Sequence, residues 1–569
     1  MATHSIAEEI VYQLAEYGIK QIFGITGDAM NAVTDAIRRD GRITWYTVRH
    51  EEVAGFAAAA QAELSQELAV CVGTIGPGAL HYVNGLYNAK RDRSPVLVIT
   101  GQVPGSEIAS DYFQEVDQLK IFDDLTVFNQ VLQRPQQMPR LIQQAIEAAV
   151  SQRGVAHLSI PTDLSIAEIE KSDRPVCIFP RHFHLVIPSA EELEKMAALI
   201  NSSRRPSLLI GAGARGARVE VMALSETLQA PVAHSLKGTE VLEHDYLNNI
   251  GGIGHVGTPH GLAVVENADL LIMLGTDFPY SAFLPTHGNV IQIDLNPEKL
   301  GHRCPVACGA IGEVKSTLQK LLPLIDSKTD STHLKKLQRK KTAWIESTNE
   351  KYLNFENTQA VIHPQSVVLK IAELADDNAI FIADVGEITV WTARYLRMHG
   401  SQRLIGSFSH GSLGVALPAA IGAKAKYPDR QVISMSGDGA FSMLLGDLVT
   451  ASRYGLNLTS VVFVNNKFGF VELEMEAAGY PRYVTDLVNP NYKDVAIAHG
   501  CDGIRVQHIN ELEPALIQAF KNIKPTVIEV FVNPDELIIP PKIDLSTAWK
   551  FTTGRVKEMF IEKKIKSLF

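Results

Sequence analysis

Cysteine is scarce in this chain, with five among 569 residues: Cys71, Cys177, Cys304, Cys308 and Cys501. So few and so scattered, they build no disulfide framework and suit reduced thiols in a cytoplasmic enzyme. Cys304 and Cys308 come nearest to a metal spacing, but no second pair follows them, which leaves a structural reading for both. Long apolar runs are missing as well. No stretch approaches the roughly 18 residues that cross a bilayer, so no transmembrane helix is expected. The start, Met1-Ala-Thr-His-Ser-Ile6, lacks the basic opening and apolar core of a secretory signal. Positive charge is not in excess either. With 53 Lys and Arg against 63 Asp and Glu, the net charge is −10, and no domain-wide basic surface exists to displace counterions from nucleic acid.

What is present suits a globular protein, at 46% hydrophobic and 20% charged residues. The length exceeds a single core and implies two to four domains. Up to about residue 182 the pattern alternates: an amphipathic helix over 6–17, a short strand over 21–24, and buried strands over 68–72, 95–100 and 155–160. That is a doubly wound α/β plan. Within it, Arg49-His50-Glu51-Glu52-Val53 leads into an alanine-rich helix over 54–64, where an early Glu complements the helix dipole whatever else it does.

A second α/β unit covers about 190–330. The strand 206–210 feeds Gly211-Ala-Gly213-Ala-Arg215-Gly216, by itself a weak dinucleotide signal, since strand-to-helix turns use glycine anyway. Two more strands strengthen it. One, 268–274, feeds Gly275-Thr276-Asp277-Phe278-Pro279-Tyr280, and the other, 290–293, ends at Asp294, whose carboxylate can accept a ribose hydroxyl. Three strand ends facing one crevice suit an adenine dinucleotide. Residues 326–345 read as a linker, with the basic run Lys335-Lys336 and Arg339-Lys340-Lys341 as a solvated helix face. A third unit opens with the strand 379–383 and Asp384-Val385-Gly386, and its coarse plan repeats that of the first.

The third unit also holds Ser436-Gly437-Asp438-Gly439-Ala440, directly after the apolar run 431–435. An aspartate at a strand end can ligate Mg²⁺, and flanking glycines let backbone N–H groups approach phosphate oxygens. Residues 440–464 contain a helical pattern (444–454) and a second apolar run (458–464) that ends at Asn465-Asn466. Strand, helix, strand places Asp438 and Asn465 side by side at the carboxyl edge of a sheet. Gly-Asp-Gly alone is usually a turn; with this spacer and the paired asparagines it resembles the thiamine diphosphate (ThDP) motif.

Together, His50-Glu51, Gly411-Ser412-Leu413-Gly414, Gly437-Asp438-Gly439 and Asn465 resemble the ThDP-dependent enzymes that decarboxylate 2-oxo acids. Arg49 to Val53, Tyr112-Phe113-Gln114-Glu115, Gly275 to Tyr280, Gly406 to His410 and Gly469-Phe470 are similar to the pyruvate oxidase branch, most closely its quinone-linked, acetate-forming bacterial pyruvate dehydrogenases. The similarity runs over nearly the whole chain and weakens after about residue 545.

The resemblance implies three doubly wound parallel-sheet domains: 1–182 for the pyrimidine of ThDP, 183–335 for FAD and 336–533 for the diphosphate and Mg²⁺, with a C-terminal tail over 534–569. It makes Glu51 the partner of the aminopyrimidine and assigns Mg²⁺ to the side chains of Asp438 and Asn465 and the carbonyl of Lys467. ThDP would further meet Gly411, Ser412, Leu413, Gly439, Ala440, Asn466, Phe468, Gly469 and Phe470, with Leu413 where the family often has Met. Phe470 and Glu474 would lie over the cofactor, with Gln114 and Phe113 approaching from a partner subunit; Phe470 reads equally well as a core residue. FAD would lie on Gly211, Gly213, Arg215, Ile253, Gly254, His255, Val256, Thr276, Asp277, Phe278, Pro279, Tyr280 and Asp294.

The implied reaction is oxidative decarboxylation of pyruvate to acetate and CO₂ via hydroxyethyl-ThDP, electrons passing through FAD to a membrane quinone. Two rivals stay open: an oxygen- and phosphate-dependent pyruvate oxidase forming acetyl phosphate, and an acetolactate synthase-like carboligase. Family precedent implies a homodimer at minimum and favours a tetramer. The tail segment 555–569 carries five basic and two acidic residues without a clean apolar stripe, which leaves two readings: a peripheral contact with the inner face of the cell membrane, or an end that packs back or frays.

Overall fold

The computed structural model describes residues 3–170, 185–353, 361–536, 538 and 541. Cys177, the 182/183 domain boundary and the tail segment 555–569 lie outside the described residues.

Apolar runs become strands where both faces are covered. Ala69–Gly73, Val96–Gln102 and Val155–Pro161 are buried at every position, as strands clad by helices on both sides of a parallel sheet must be. Three six-stranded sheets result, all of their pairings parallel. They are drawn from residues 21–161, 206–311 and 380–531. If each sheet's strands are numbered along the chain, the first and third both run 2-1-3-4-6-5, while the middle runs 3-2-1-4-5-6. The shared plan of the outer units therefore extends to strand order. The middle order is that of dinucleotide-binding folds. In each sheet the order reverses beside strand 1, where the loops at the carboxyl ends splay apart and leave a crevice. In the third sheet that crevice falls between Ile380–Ala383 and Val432–Gly437, whose chains continue into Asp384 and Asp438.

The linker expected over 326–345 is instead part of a 21-residue helix, Thr332–Tyr352. Leu334 and Leu337 are buried in it, and the basic run is not a uniformly solvated face: Lys341 is 6% exposed and donates to the carbonyls of His244, Tyr246 and Asn249. The helical pattern over 444–454 is also broken, into Asp438–Leu444, a 3-10 turn and Leu448–Arg453.

The first and third units meet through two alanine-rich helices, Glu51–Ser65 and Ala416–Lys426, whose small side chains share one core cluster. A Cβ on Gly422 would stand 2.1 Å from the carbonyl oxygen of Ala57, so this crossing requires glycine. All three units meet at a buried charge network. Lys237 lies 2.9 Å from Glu63 and 2.6 Å from Asp92, and Glu240 takes Arg403 at 2.9 Å as well as Arg215. The cations hold the Glu63 carboxyl below its ordinary range in spite of burial, whereas burial raises Asp92 to about 6 against the pull of Lys237.

Candidate active site

Asp438 opens the helix that follows its strand, and burial pushes its carboxyl above the usual range while hydrogen bonds oppose the shift. It accepts N–H groups from Gly439 (2.9 Å), Asn465 (3.1 Å) and Asn466 (2.6 Å), and the Asn489 amide at 2.8 Å. Asn466 is left-handed (φ 57°), a conformation asparagine tolerates, and that turn lets two successive N–H groups face one carboxylate. Asn465 accepts Lys467 N–H through Oδ1 at 3.1 Å and donates through Nδ2 to Glu387 at 2.9 Å. The two residues that sequence spacing set side by side do stand together, at adjoining ends of paired strands.

Two further acids complete this edge. Asp384 is fully buried and accepts from Val385 N (2.9 Å), Gly414 N (2.9 Å), Ala416 N (3.4 Å) and Ser436 Oγ (3.1 Å), which ties three strand-end segments together. Glu387 begins the helix Glu387–Tyr395, and its carboxyl fills the space a Cβ on Gly469 would need, 2.5 Å away. Burial drives it up to about 7; Lys467 opposes, while Glu472, Asp438 and Glu536 add to the rise. Neither acid was assigned a role from sequence, although Asp384-Val-Gly386-Glu387 follows a strand just as Gly437-Asp438 does.

The donor set suits a hard divalent cation: the Asp438 carboxylate and the Asn465 amide stand at adjoining strand ends beside a second buried acid, Glu387, and the nearby Lys467 ammonium is paired with Glu472 at 3.3 Å. There is also room for phosphate. Cβ atoms built on Gly386, Gly411 and Gly437 would meet nothing within 4 Å. Gly411, Ser412 and Leu413 border this edge, Ser412 accepting from Asn84 of the first unit at 2.9 Å. Gly439 and Ala440 are buried in the first turn after Asp438, Phe468 packs on Gly439, and Phe470 is half-buried against the third unit's core. Glu474 is exposed on the same helix, Gly469–Ala478.

In the first unit, Glu51 is the first residue of its helix and 7% exposed. Its Oε2 lies 2.9 Å from His81 Nδ1, and Oε1 faces Gly78, where a Cβ would sit 3.4 Å away. His50 caps the helix by accepting Glu52 N–H at 3.2 Å, and its ring stacks on His81 at 4.5 Å. Gln114 is left-handed (φ 65°), with its carbonyl oxygen 2.5 Å from where a Gly76 Cβ would be; Phe113 beside it is 79% exposed. Among the described residues no hydrogen bond or ion pair links Glu51 to the Asp438 set within one chain.

The residues expected to hold FAD gather at the carboxyl edge of the middle sheet. Gly213 N donates to Gly275 O at 3.0 Å, and a Cβ on Gly213 would meet Gly275 Cα at 2.7 Å, so these glycines let two loops touch across the switch point. Asp294 ends the next strand, raised by burial. Ile253, Thr276 and Phe278 are buried; Tyr280 is 46% exposed, and His255 stands edge-on to it at 4.7 Å. A Gly254 Cβ would press on Phe278, Pro279 joins Phe278 to Tyr280, and Asp277 faces Lys299 at 3.5 Å. Arg394, on the helix that begins at Glu387, donates to the carbonyls of Val256 (3.2 Å) and His255 (3.5 Å). Arg215 points elsewhere than expected from sequence alone, into the buried network with Glu240 and Glu63.

This fold and this edge define an enzyme that works on thiamine diphosphate, also called thiamine pyrophosphate. The chain belongs to the thiamine pyrophosphate enzyme family: residues 4–121 match its N-terminal TPP binding domain, 193–321 its central domain and 384–530 its C-terminal TPP binding domain. It is 36% identical to the protein YdaP of Bacillus subtilis (strain 168), named for thiamine pyrophosphate, over 99% of this chain and 98% of that one. It is 28% identical to pyruvate oxidase of Lactiplantibacillus plantarum over 95% and 90% of the two chains, and 30% identical to the acetolactate synthase large subunit of Parasynechococcus marenigrum over 95% and 89%. No helix among the described residues is long and apolar enough to cross a membrane.

Proposed function

We propose that this protein oxidatively decarboxylates pyruvate to acetate and CO₂, using ThDP and Mg²⁺ with FAD as electron relay and a membrane quinone as acceptor. The observation that carries the reading is the helix Glu387–Tyr395. It begins beside the Asp438 set and reaches, through Arg394, the loop 253–256 on the dinucleotide-type sheet. One helix would thus adjoin both the proposed decarboxylation site and the proposed flavin crevice.

Bound ThDP supplies an electron sink for the carbon that loses CO₂. Asp438, Asn465 and the Lys467 carbonyl would hold the cation, and backbone at Gly411, Ser412, Gly439, Ala440 and Asn466 would meet the diphosphate. Glu51 would hold and return a proton at one carboxylate oxygen while His81 fixes the other, a division of labour that Gln could not sustain. Leu413 would shape an apolar floor, and Phe468, Gly469, Phe470 and Glu474, with Gln114 and Phe113 of a second copy, would cover pyruvate and exclude water. FAD would lie along Gly211, Gly213, Ile253 to Val256, Thr276 to Tyr280 and Asp294, with Arg215 reached only by a shift from its acidic partners.

Resemblance to the family makes the working unit a homodimer at least, with Glu51 of one copy facing Asp438 of the other. Exposed apolar residues beside each half-site, Tyr112 and Phe113 on one and Tyr483, Val484 and Val488 on the other, support burial against a second copy. The proposed domain division is 1–182, 183–335 and 336–533, although its 335/336 boundary falls inside the helix Thr332–Tyr352, and the tail 534–569 would provide the membrane contact. Acetolactate synthase relatives at 30% identity favour carboligation as the second reading. Product analysis from ¹³C-labelled pyruvate separates the outcomes. Acetate supports the proposal, acetyl phosphate with peroxide would point to the oxygen-linked reaction, and acetolactate to carboligation.

A further inference from the structure

Where the helices Pro259–Glu266, Thr332–Tyr352 and Glu387–Tyr395 approach the edge strand Asn249–Gly252, they enclose a cavity of about 40 Å³. A water needs roughly 10–15 Å³ measured this way, so the space takes about three waters or one compact ion of four or five heavy atoms. Its walls include His234, His244, Asn249, His260, Lys341 and Arg394 and, among the described residues, no Asp or Glu.

The electrostatics are one-sided. Burial holds the three imidazoles well below their ordinary range, His234 to about 4 and His244 and His260 to about 3, so they are neutral at pH 7. The charged groups that line the cavity are Lys341 and Arg394, with Arg397 close enough to act on Lys341; the carboxylate that pulls on Lys341 is Asp245, which is exposed. Both wall cations are satisfied in hydrogen bonds, but by neutral carbonyls: Lys341 by Tyr246 (3.3 Å), Asn249 (2.7 Å) and His244, Arg394 by His255 and Val256. Among the described residues neither forms an ion pair with a carboxylate.

Two polar atoms of wall residues, His244 Nε2 and Asn249 Oδ1, have no hydrogen-bond partner among the described residues. Asn249 is 4% exposed, and its Nδ2 is committed to the carbonyl of Glu243 at 3.1 Å, which fixes the amide with its oxygen free. That oxygen can only accept, so a guest must bring an O–H; an imidazole nitrogen can supply a proton to a guest oxygen. Water meets the hydrogen-bonding demand and leaves the positive charge unanswered. An oxyanion that has kept one proton meets both.

We propose that this cavity binds a small oxyanion that remains protonated at neutral pH, the class of hydrogen phosphate and bicarbonate. The site is separate from the Asp438 edge and stands whether or not the chain oxidises pyruvate. Occupancy would brace Arg394 and, through it, the loop 253–256.

The test is calorimetric titration of the full chain, loaded with ThDP, Mg²⁺ and FAD so that both diphosphate-binding sites are filled, with phosphate, bicarbonate and sulfate at matched ionic strength. One saturable site per chain for phosphate or bicarbonate is expected, with sulfate at least about tenfold weaker because it has no O–H for Asn249. Asn249→Asp, near in shape but negative, should weaken that binding at least tenfold. His244→Leu, which removes the second unpartnered atom, gives an independent check if the first variant melts early. Absence of saturable binding, equal affinity for sulfate, or unchanged affinity in the folded variants overturns the proposal.

Discussion

Replacing Asp384 by asparagine isolates the energetics of the strand-end junction on which the candidate site stands. The carboxyl is fully buried, and burial raises it from 3.8 to about 6 against the pull of its hydrogen bonds from Val385, Gly414, Ala416 and Ser436. A raised acid binds more protons folded than unfolded, so its contribution to stability is complete below the unfolded pKa and is lost as pH climbs through the folded one. The shift corresponds to about 3 kcal/mol in full, of which roughly half is lost between pH 5 and 8. Asp384→Asn removes the titration and keeps an oxygen for the Val385 and Gly414 N–H groups, both 2.9 Å from Oδ1. The cofactor-free variant should therefore gain on the wild type over that range by roughly half of that amount, or a few degrees in relative melting temperature for a unit of this size. Scanning fluorimetry at pH 5, 6, 7 and 8 measures the difference. A difference that stays flat, or that moves in favour of the wild type as pH rises, refutes the reasoning.

Three other perturbations follow from the same geometry. Glu51→Gln should retain ThDP binding, seen by protein fluorescence, and lose at least about a hundredfold in decarboxylation, because an amide cannot exchange the proton. Asp438→Asn, or removal of divalent metal from the wild type, should abolish metal-dependent ThDP binding in the same fluorescence titration. Gly422→Ala places a methyl 2.1 Å from the Ala57 carbonyl and should cost ~1–3 kcal/mol through the helix shift it forces, read as a lower melting temperature.

Much of the site was legible because strand ends are legible. The apolar runs before Asp438 and Asn465, and the βα turn at Gly211, mark carboxyl edges, and parallel pairing brings such ends together. Strand order was not, since nothing local in the middle unit tells 3-2-1-4-5-6 from 2-1-3-4-6-5. Glu51 could be singled out only through resemblance; its local pattern says no more than a charge at a helix start. Glu387 and Asp384 were overlooked because their roles depend on what folds over them, Gly469 in one case and Gly414 in the other. The helix Thr332–Tyr352 was misread because a lysine in a basic run was counted as solvated, whereas three carbonyls satisfy Lys341 inside the protein. Arg215 shows the reverse limit: a glycine-rich turn suggested a ligand contact, and partners distant in sequence, Glu63 and Glu240, claimed the side chain.

The most direct measurement is the flavin absorbance of purified protein loaded with ThDP, Mg²⁺ and FAD, followed anaerobically. Pyruvate should bleach the oxidised flavin band, and a quinone added afterwards should restore it with acetate as the product. A flavin that stays oxidised in the presence of pyruvate contradicts oxidative decarboxylation by this protein.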